Sequence, residues 1–202
     1  QKVFTLFVFV TVLFFTQSVD AKSLFIAPNG SDNNTGTIEK PLQTILEALN
    51  RSNSGDTIYL REGVYEQLTN IRDFMFTKPV TIKPYNEEKV VIDGRNRDQK
   101  LSNRAAFDIR DSQHIVIEGL EIRNIETDDR NFYPAGILIR GQSKHITIAN
   151  NNVHHIQNTN KRGNAHGILV YGNNPVAIEN IIIKNNLIHH LTVGRSESLT
   201  VS

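Results

Sequence analysis

The chain has 202 residues, 39% hydrophobic content, no cysteine and a formal net charge of +1. Balanced charge without like-charged runs excludes the cationic stripe that a nucleic-acid backbone requires, although local arginines can still meet an acidic polymer. Without cysteine no disulfide framework is possible, so stability has to come from buried apolar surface.

Lys2, the apolar run Val3 to Phe15 and the polar stretch ending in Val19, Asp20 and Ala21 predict a signal peptide over residues 1–21. A run of about 13 apolar residues is short for a membrane span. The protein is therefore expected to be secreted and extracellular, with no membrane contact after signal cleavage. Residues 22–202 are expected to form one domain, with an N-terminal cap over 24–56 and coils over 57–202. Pro41 to Asn53 reads as one amphipathic capping helix, with Leu42, Ile45, Leu46 and Leu49 on one face. After Gly55 and Asp56 the chain alternates through Thr57–Leu60, Val80–Ile82 and Val90–Ile92, which predicts strands.

Beyond these strands three segments superpose: His114 to Ile125, His145 to Ile156 and Asn180 to Leu191, at offsets of 31 and 35 residues. A second set, Phe107–Ile109, Ile137–Ile139, Ile168–Val170 and Leu199–Val201, recurs at offsets of 30, 31 and 31. Two interleaved repeats with one period imply units of three short strands that cannot bury their apolar faces singly. Stacked coil on coil they form an all-β, right-handed parallel β-helix. Ser198 to Ser202 begins a further coil with no cap after it, so the solenoid is expected to be truncated at the C-terminus. Asn150 to Asn152, matched by Asn185 and Asn186, sits between two strands of a coil and predicts a structural amide ladder at a tight bend.

Side chains that alternate with the buried ones on the strand after the long loop form two outward columns. One is Asp108, Leu138, Leu169 and Thr200; the other is Arg110, Arg140, Tyr171 and Ser202. Guanidinium groups pair with carboxylates and a tyrosine ring can lie against a sugar, so Arg110, Arg140 and Tyr171 are candidate substrate contacts. The overhanging loops carry Asp128 and Asp129, Lys161 and Arg162 with His166, and Arg195 with Glu197. His166 is a further substrate-contact candidate. Asp128 and Asp129 could supply two oxygens to a Ca²⁺ that wants six to eight. Lys161, Arg162 and Arg195 are candidate bases. His154-His155 and His189-His190 invite a metal reading, but strict alternation would send the members of each pair to opposite faces. Asn29, Asn33 and Asn50 begin glycosylation-type triplets, which matter only in a eukaryotic secretory pathway.

The string LFIAPNGSD at 24–32, with Gly36, Thr37, Pro41, Thr44, Ala48, GDTIY at 55–59, GVY at 63–65 and VIDG at 91–94, resembles the opening module of secreted pectate-lyase-like β-helix proteins. It is most similar to polysaccharide lyase family nine. The resemblance covers most of residues 24–202. It implies β-elimination of a uronate polymer such as pectate, with Ca²⁺ held by a cluster of aspartates and a lysine as general base. The family's four-aspartate cluster and downstream lysine have no counterpart at matching spacing here; either they lie in coils beyond Ser202 or this member lacks them. The leading expectation is thus a polysaccharide lyase-like protein, monomeric at full length, whose partner is an extracellular acidic polysaccharide. A non-catalytic carbohydrate-binding or adhesive solenoid and a glycoside hydrolase on the same scaffold are the alternatives. The hydrolase would require paired carboxylates in the cleft, where Asp108 is the one acid in the two outward columns.

Overall fold

The computed structural model describes residues 20–95, 105–172 and 177–201. Ser202, and the expected signal peptide except for its last two residues, lie outside the described residues. Three parallel sheets wind into a right-handed β-solenoid of about five turns. Sheet A contains β1 (Ser23–Ile26), β2 (Thr57–Leu60), β5 (Met75–Pro84), β8 (Gln113–Glu118), β11 (Lys144–Ala149) and β14 (Glu179–Lys184). Sheet B contains β3 (Gly63–Tyr65), β6 (Val90–Asp93), β9 (Glu121–Thr127), β12 (Asn152–Asn158) and β15 (Leu187–His189). Sheet C contains β4 (Thr69–Arg72), β7 (Ala105–Arg110), β10 (Ala135–Arg140), β13 (His166–Tyr171) and β16 (Leu199–Val201). Each coil visits A, B and C in turn, as the interleaved repeats require.

The register stacks like on like. Ile58, Ile82, Ile117, Ile148 and Ile183 form one inward column on sheet A. Ile71, Ile109, Ile139 and Val170 form another on sheet C, and Tyr65, Ile92, Ile122 and Val153 a third on sheet B. All of these except Ile183 are buried in one continuous core. Consecutive coils lie about 4.8 Å apart, so each apolar layer is covered chiefly by the next one.

The helix expected over 41–53 is shorter than its apolar spacing suggests. Only Ile45–Asn50 is helical (α1), with Thr44 as its N-cap accepting from the Glu47 N–H. Leu42 lies outside α1 because its backbone bridges to β1: its N–H donates to Phe25 O at 2.8 Å and its carbonyl accepts from Ala27 N at 3.0 Å. Asp32 reinforces the break, its carboxylate accepting from the backbone of Gln43 and Thr44 and from the Thr44 hydroxyl. Leu46 is 41% exposed, so the buried face is Ile45, Ala48 and Leu49. This face packs on β1, β2 and β4 and covers the first coil.

The bend between sheets A and B uses a left-handed residue at Gly119, Asn150 and Asn185, followed by Leu120, Asn151 and Asn186. Asn151 is buried there. Its side-chain oxygen accepts from Leu120 N at 3.1 Å, and its amide donates to Ile117 O at 3.1 Å and to Asn186 Oδ1 at 3.0 Å. Asn186 repeats the pattern one coil on by donating to Ile148 O at 2.9 Å. The expected amide ladder is present, tying each bend to the strand above it and to its equivalent below.

On the outer side of sheet B, Asp93 is buried beneath Arg95, Arg123 and Asn124, which all donate to its carboxylate. Burial alone would raise its pKa, but these donors prevail and hold the carboxyl well below the usual range. Because the folded pKa is depressed, the stabilisation is complete above the unfolded value near 3.9 and is lost as pH falls below it.

Two outcomes follow. Asn151→Ala strands Leu120 N and Ile117 O in the interior and is expected to lower stability by about 2–3 kcal/mol in equilibrium urea unfolding, whereas Asn50→Ala on the exposed end of α1 stays within about 0.5 kcal/mol. Asp93→Asn is expected to flatten the fall of stability between about pH 4 and pH 2, read from the shift of urea midpoint with pH. An unchanged acid limb would remove Asp93 as its source.

Candidate functional site

Sheet C presents two outward columns, which the register fixes residue by residue. Asn70, Asp108, Leu138, Leu169 and Thr200 align in one; Arg72, Arg110, Arg140 and Tyr171 align in the other. Arg72 was not among the residues expected from sequence. The signal for it was there: Asn70-Ile71-Arg72 has the form of Asp108-Ile109-Arg110 and Leu138-Ile139-Arg140.

Outward does not mean solvated in the first column. Asp108 is fully buried and Leu138 almost so, the latter in a small apolar cluster with Ala105, Ala135 and Leu169 that is separate from the main core. The loop of residues 128–134, between β9 and β10, brings Tyr133 to this face. Between Tyr133 and the strands lies a cavity of about 470 Å³ floored by Leu138 and Leu169 and edged by Arg110, Arg140 and Tyr171. Tyr171 is 47% exposed, so one ring face can receive a ligand.

The arginines are not free cations. Arg140 grips Asp108 bidentately, Nε to Oδ1 at 2.8 Å and a terminal nitrogen to Oδ2 at 2.6 Å, while Arg72 approaches the same carboxylate at 3.8 Å. Arg110 donates to Asp111 Oδ2 at 3.0 Å. The Gln142 N–H, and then Arg110, hold the Asp111 carboxyl below its ordinary pKa. Gly141, which follows Arg140, is required where it stands. Its φ of +68° is left-handed, and a Cβ there would lie 2.2 Å from Asp111 Oδ1. Three guanidinium groups and two carboxylates leave this face mildly cationic at neutral pH.

The loop is held from below by Asn158. This residue is buried at the end of β12, and its amide donates to the carbonyls of Asp129 at 2.9 Å and Phe132 at 2.8 Å. Asn158 therefore sets the height of Tyr133 over the cavity. Sequence pattern offered no hint of this, because the side chain reaches 26 and 29 residues back along the chain.

The remaining candidates lie elsewhere. His166 is the first residue of β13, not a loop residue; it is buried with its Nδ1 3.1 Å from Thr200 Oγ1, and burial lowers its pKa, so it does not reach the cavity. Asp128 and Asp129 are exposed, and Asp129 Oδ1 accepts from Asn131 N within its own loop. Two such carboxylates fall well short of a Ca²⁺ shell. Among the described residues no group of three or more His, Cys, Asp or Glu side chains has metal-holding geometry. Lys161, Arg162 and Arg195 are exposed on the loops before β13 and β16, and none lines the cavity.

The histidine pairs do not divide between faces. His155 and His190 have φ of 53° and 51°, as Asn124 has 59° at the equivalent position of the previous coil. A left-handed residue inside a strand breaks the period of two, so His154 and His155 both point outward between the buried Val153 and Ile156. His154 stacks on His189 with centroids 4.9 Å apart, and His155 on His190 at 5.3 Å.

The sequence model of a family described as Pel9A-like, right handed beta helix region, matches residues 24–190. The chain is 35% identical over 180 residues to the uncharacterized protein YwoF of Bacillus subtilis, covering 89% of this chain and 38% of that protein. It is 30% identical over 158 residues to pectate lyase PEL9 of Emericella nidulans, covering 65% of this chain and 38% of that enzyme. Among solved structures, a GH136 lacto-N-biosidase from Eubacterium ramulus superposes with a TM-score of 0.67 at 17% identity, over 86% of this chain and 35% of that one. The last likeness is one of fold. The chain spans 38% of the length of each curated relative it matches. No helix among the described residues is long and apolar enough to cross a membrane.

The Arg140–Asp108 pair can be tested directly. Among the described residues Arg140→Ala leaves the buried Asp108 carboxylate with the distant Arg72 as its cation, and is expected to cost about 3 kcal/mol in equilibrium unfolding. Asp108→Asn combined with Arg140→Met is expected to recover most of that loss. Additive losses in the double variant would mean that the pair is not coupled.

Proposed function

The chain belongs to the Pel9A-like right-handed β-helix family, and on that basis we propose that it binds a uronate-containing polysaccharide along sheet C as part of a secreted, pectate lyase-like enzyme. The observation that carries the reading is the cavity over Leu138 and Leu169, with Arg110, Arg140, Tyr171 and Tyr133 around it. An apolar floor and two tyrosine rings suit the faces of sugar rings, and guanidinium groups suit a carboxylate. Arg140 is occupied by the buried Asp108, whereas Arg110 and Arg72 are about half exposed and paired at the surface or at longer range. Arg110 is thus the cation that meets a uronate, and Arg140 positions the cavity wall.

In β-elimination a base removes the proton on the carbon beside the uronate carboxylate. The electron pair forms a carbon–carbon double bond, and the glycosidic oxygen on the next carbon departs and is protonated. Cations near the carboxylate stabilise the enolate-like charge that develops. Arg110 offers that stabilisation in this chain. Lys161, Arg162 and Arg195 are the base candidates on the overhanging loops. The resemblance to lyases brings Ca²⁺ into the proposal, but Asp128 and Asp129 do not complete a shell for it, and no step is assigned to the ion here.

A carbohydrate-binding role without catalysis is the second reading. It is favoured by the pairing of Arg140 with Asp108 and Arg110 with Asp111, which spends much of the charge on structure.

The test separates the two. Polygalacturonate incubated with the protein, with and without Ca²⁺, is expected to yield the ultraviolet-absorbing unsaturated product. Oligogalacturonate binding is expected to weaken roughly tenfold in Arg110→Ala and in Tyr171→Ala, with unfolding midpoints unchanged. Tight binding without product on polygalacturonate, alginate or glycosaminoglycan would favour the binding solenoid. Absence of binding to all three would sink both readings.

A further inference from the structure

The four outward imidazoles of sheet B stand apart from the sheet C cavity and are arranged as ligands. His154 Nδ1 lies 2.6 Å from His155 Nδ1, and one coil below, His189 Nδ1 meets His190 Nδ1 in the same kind of contact. Two bare lone pairs cannot sit so close. Each pair needs a proton on one of its two nitrogens, as in an N–H···N hydrogen bond, or a cation between them.

The opposite nitrogens decide which atoms are bare. His189 Nε2 lies 2.9 Å from Asn152 Oδ1, and His154 Nε2 lies 3.4 Å from Glu121 Oε1. An Nε2–H donated to an amide oxygen or a carboxylate leaves Nδ1 as a lone pair, which is the arrangement that orients metal-binding histidines in general. Glu121 is itself anchored by Arg123 at 2.7 Å, and Arg123 by the buried Asp93. The orienting groups are therefore fixed before any ligand arrives. His155 and His190 are exposed, so the nitrogens are accessible from solvent.

We propose that each histidine pair chelates a borderline divalent cation, Zn²⁺, Ni²⁺ or Cu²⁺, through its two Nδ1 atoms. Two nitrogens about 2.0–2.1 Å from a metal would be about 2.9 Å apart at the 90° of square-planar Cu²⁺ or Ni²⁺ and about 3.3 Å apart at the tetrahedral angle of Zn²⁺, so chelation requires an opening of about 0.3 Å or about 0.7 Å from the 2.6 Å found between His154 and His155. Imidazole selects such metals over Ca²⁺ or Mg²⁺, which prefer oxygen. No three side chains converge on one point among the described residues, so the site is two open chelates with water completing each shell, not a closed cage.

The stacking also supplies the right variants. The coil before His155 carries Asn124 at the same left-handed position, so His155→Asn and His190→Asn install a residue the ladder already uses. His114 and His145 form a separate stacked pair on sheet A, 4.4 Å apart, whose next member is Asn180. His114→Asn with His145→Asn is therefore the matched control.

Zn²⁺ and Ni²⁺ affinity is measured at pH 7.5 by competition with a chromogenic indicator, alongside the thermal midpoint with and without metal. The expected result is binding by the unaltered protein and by the sheet A control, at least a tenfold weaker affinity in the His155→Asn, His190→Asn variant, and a metal-dependent rise in midpoint that this variant lacks. Binding is also expected to fade by pH 5, where protons compete for the imidazoles. Equal metal affinity in the sheet B variant, or no binding by the unaltered protein, would overturn the proposal and leave each pair as a shared-proton contact.

Discussion

Everything in this fold depends on parallel, in-register stacking at about 4.8 Å, by which a residue is covered chiefly by its own equivalent in the next coil. A translation of this kind rewards side chains that like their own kind. Isoleucine on isoleucine fills a core, as in the column from Ile58 to Ile148. Asparagine on asparagine closes an amide ladder, as Asn151 does on Asn186. Imidazole on imidazole stacks, as His154 does on His189.

The same translation penalises like charges. Two guanidinium groups about 5 Å apart repel by about 3 kcal/mol at an effective dielectric constant near 20. The structure answers with carboxylates placed beside the cations. Asp108 lies under Arg140 and within reach of Arg72, Asp111 sits beside Arg110, and Asp93 lies under Arg95 and Arg123. A cationic column on a solenoid therefore has to be partly self-neutralised. That is why the sheet C face is only mildly basic although three arginines stand in register on it.

How much of this was legible in the sequence follows from which features repeat. The strands, the three-sheet coil and the asparagine ladder recur at one period, and the period is visible in Ile117, Ile148 and Ile183 as plainly as in the structure. Features that depend on a single local event were misread. Leu42 has helical spacing to Ile45 and Leu49, but a backbone bridge to β1 claims it first. His155 breaks strand alternation through one left-handed residue, and the spacing of three between Val153 and Ile156, where strands show two, was the available sign. Asp108 and Leu138 point away from the main core yet are buried, Asp108 beneath the Arg140 guanidinium and Leu138 beside the cavity that Tyr133 overhangs, and neither cover leaves a periodic trace. The anchoring of that loop by Asn158 is equally invisible, being a long-range side-chain contact to main-chain carbonyls.

The division of labour between faces follows from the same geometry. From β8 onward the bends between sheets A and B are two residues long, and the asparagine ladder holds the last two of them, whereas the bend from β5 to β6 runs through residues 85–89. The connections from sheet B to sheet C carry no such ladder, and they are where the chain lengthens, at 128–134 and again at 159–165. Length at that corner is what allows Tyr133 to reach over sheet C and turn an exposed strand surface into a cavity. Among the described residues no loop of this kind overhangs sheet B, upstream of the corner. The sheet B histidines are arranged by backbone conformation, stacking and the contacts to Asn152 and Glu121, whereas the sheet C cavity is arranged by a loop. On the proposed reading, a polysaccharide on sheet C would lie between the floor of Leu138 and Leu169 and the Tyr133 loop that Asn158 holds, and that fit, more than net charge, is where selectivity would be built.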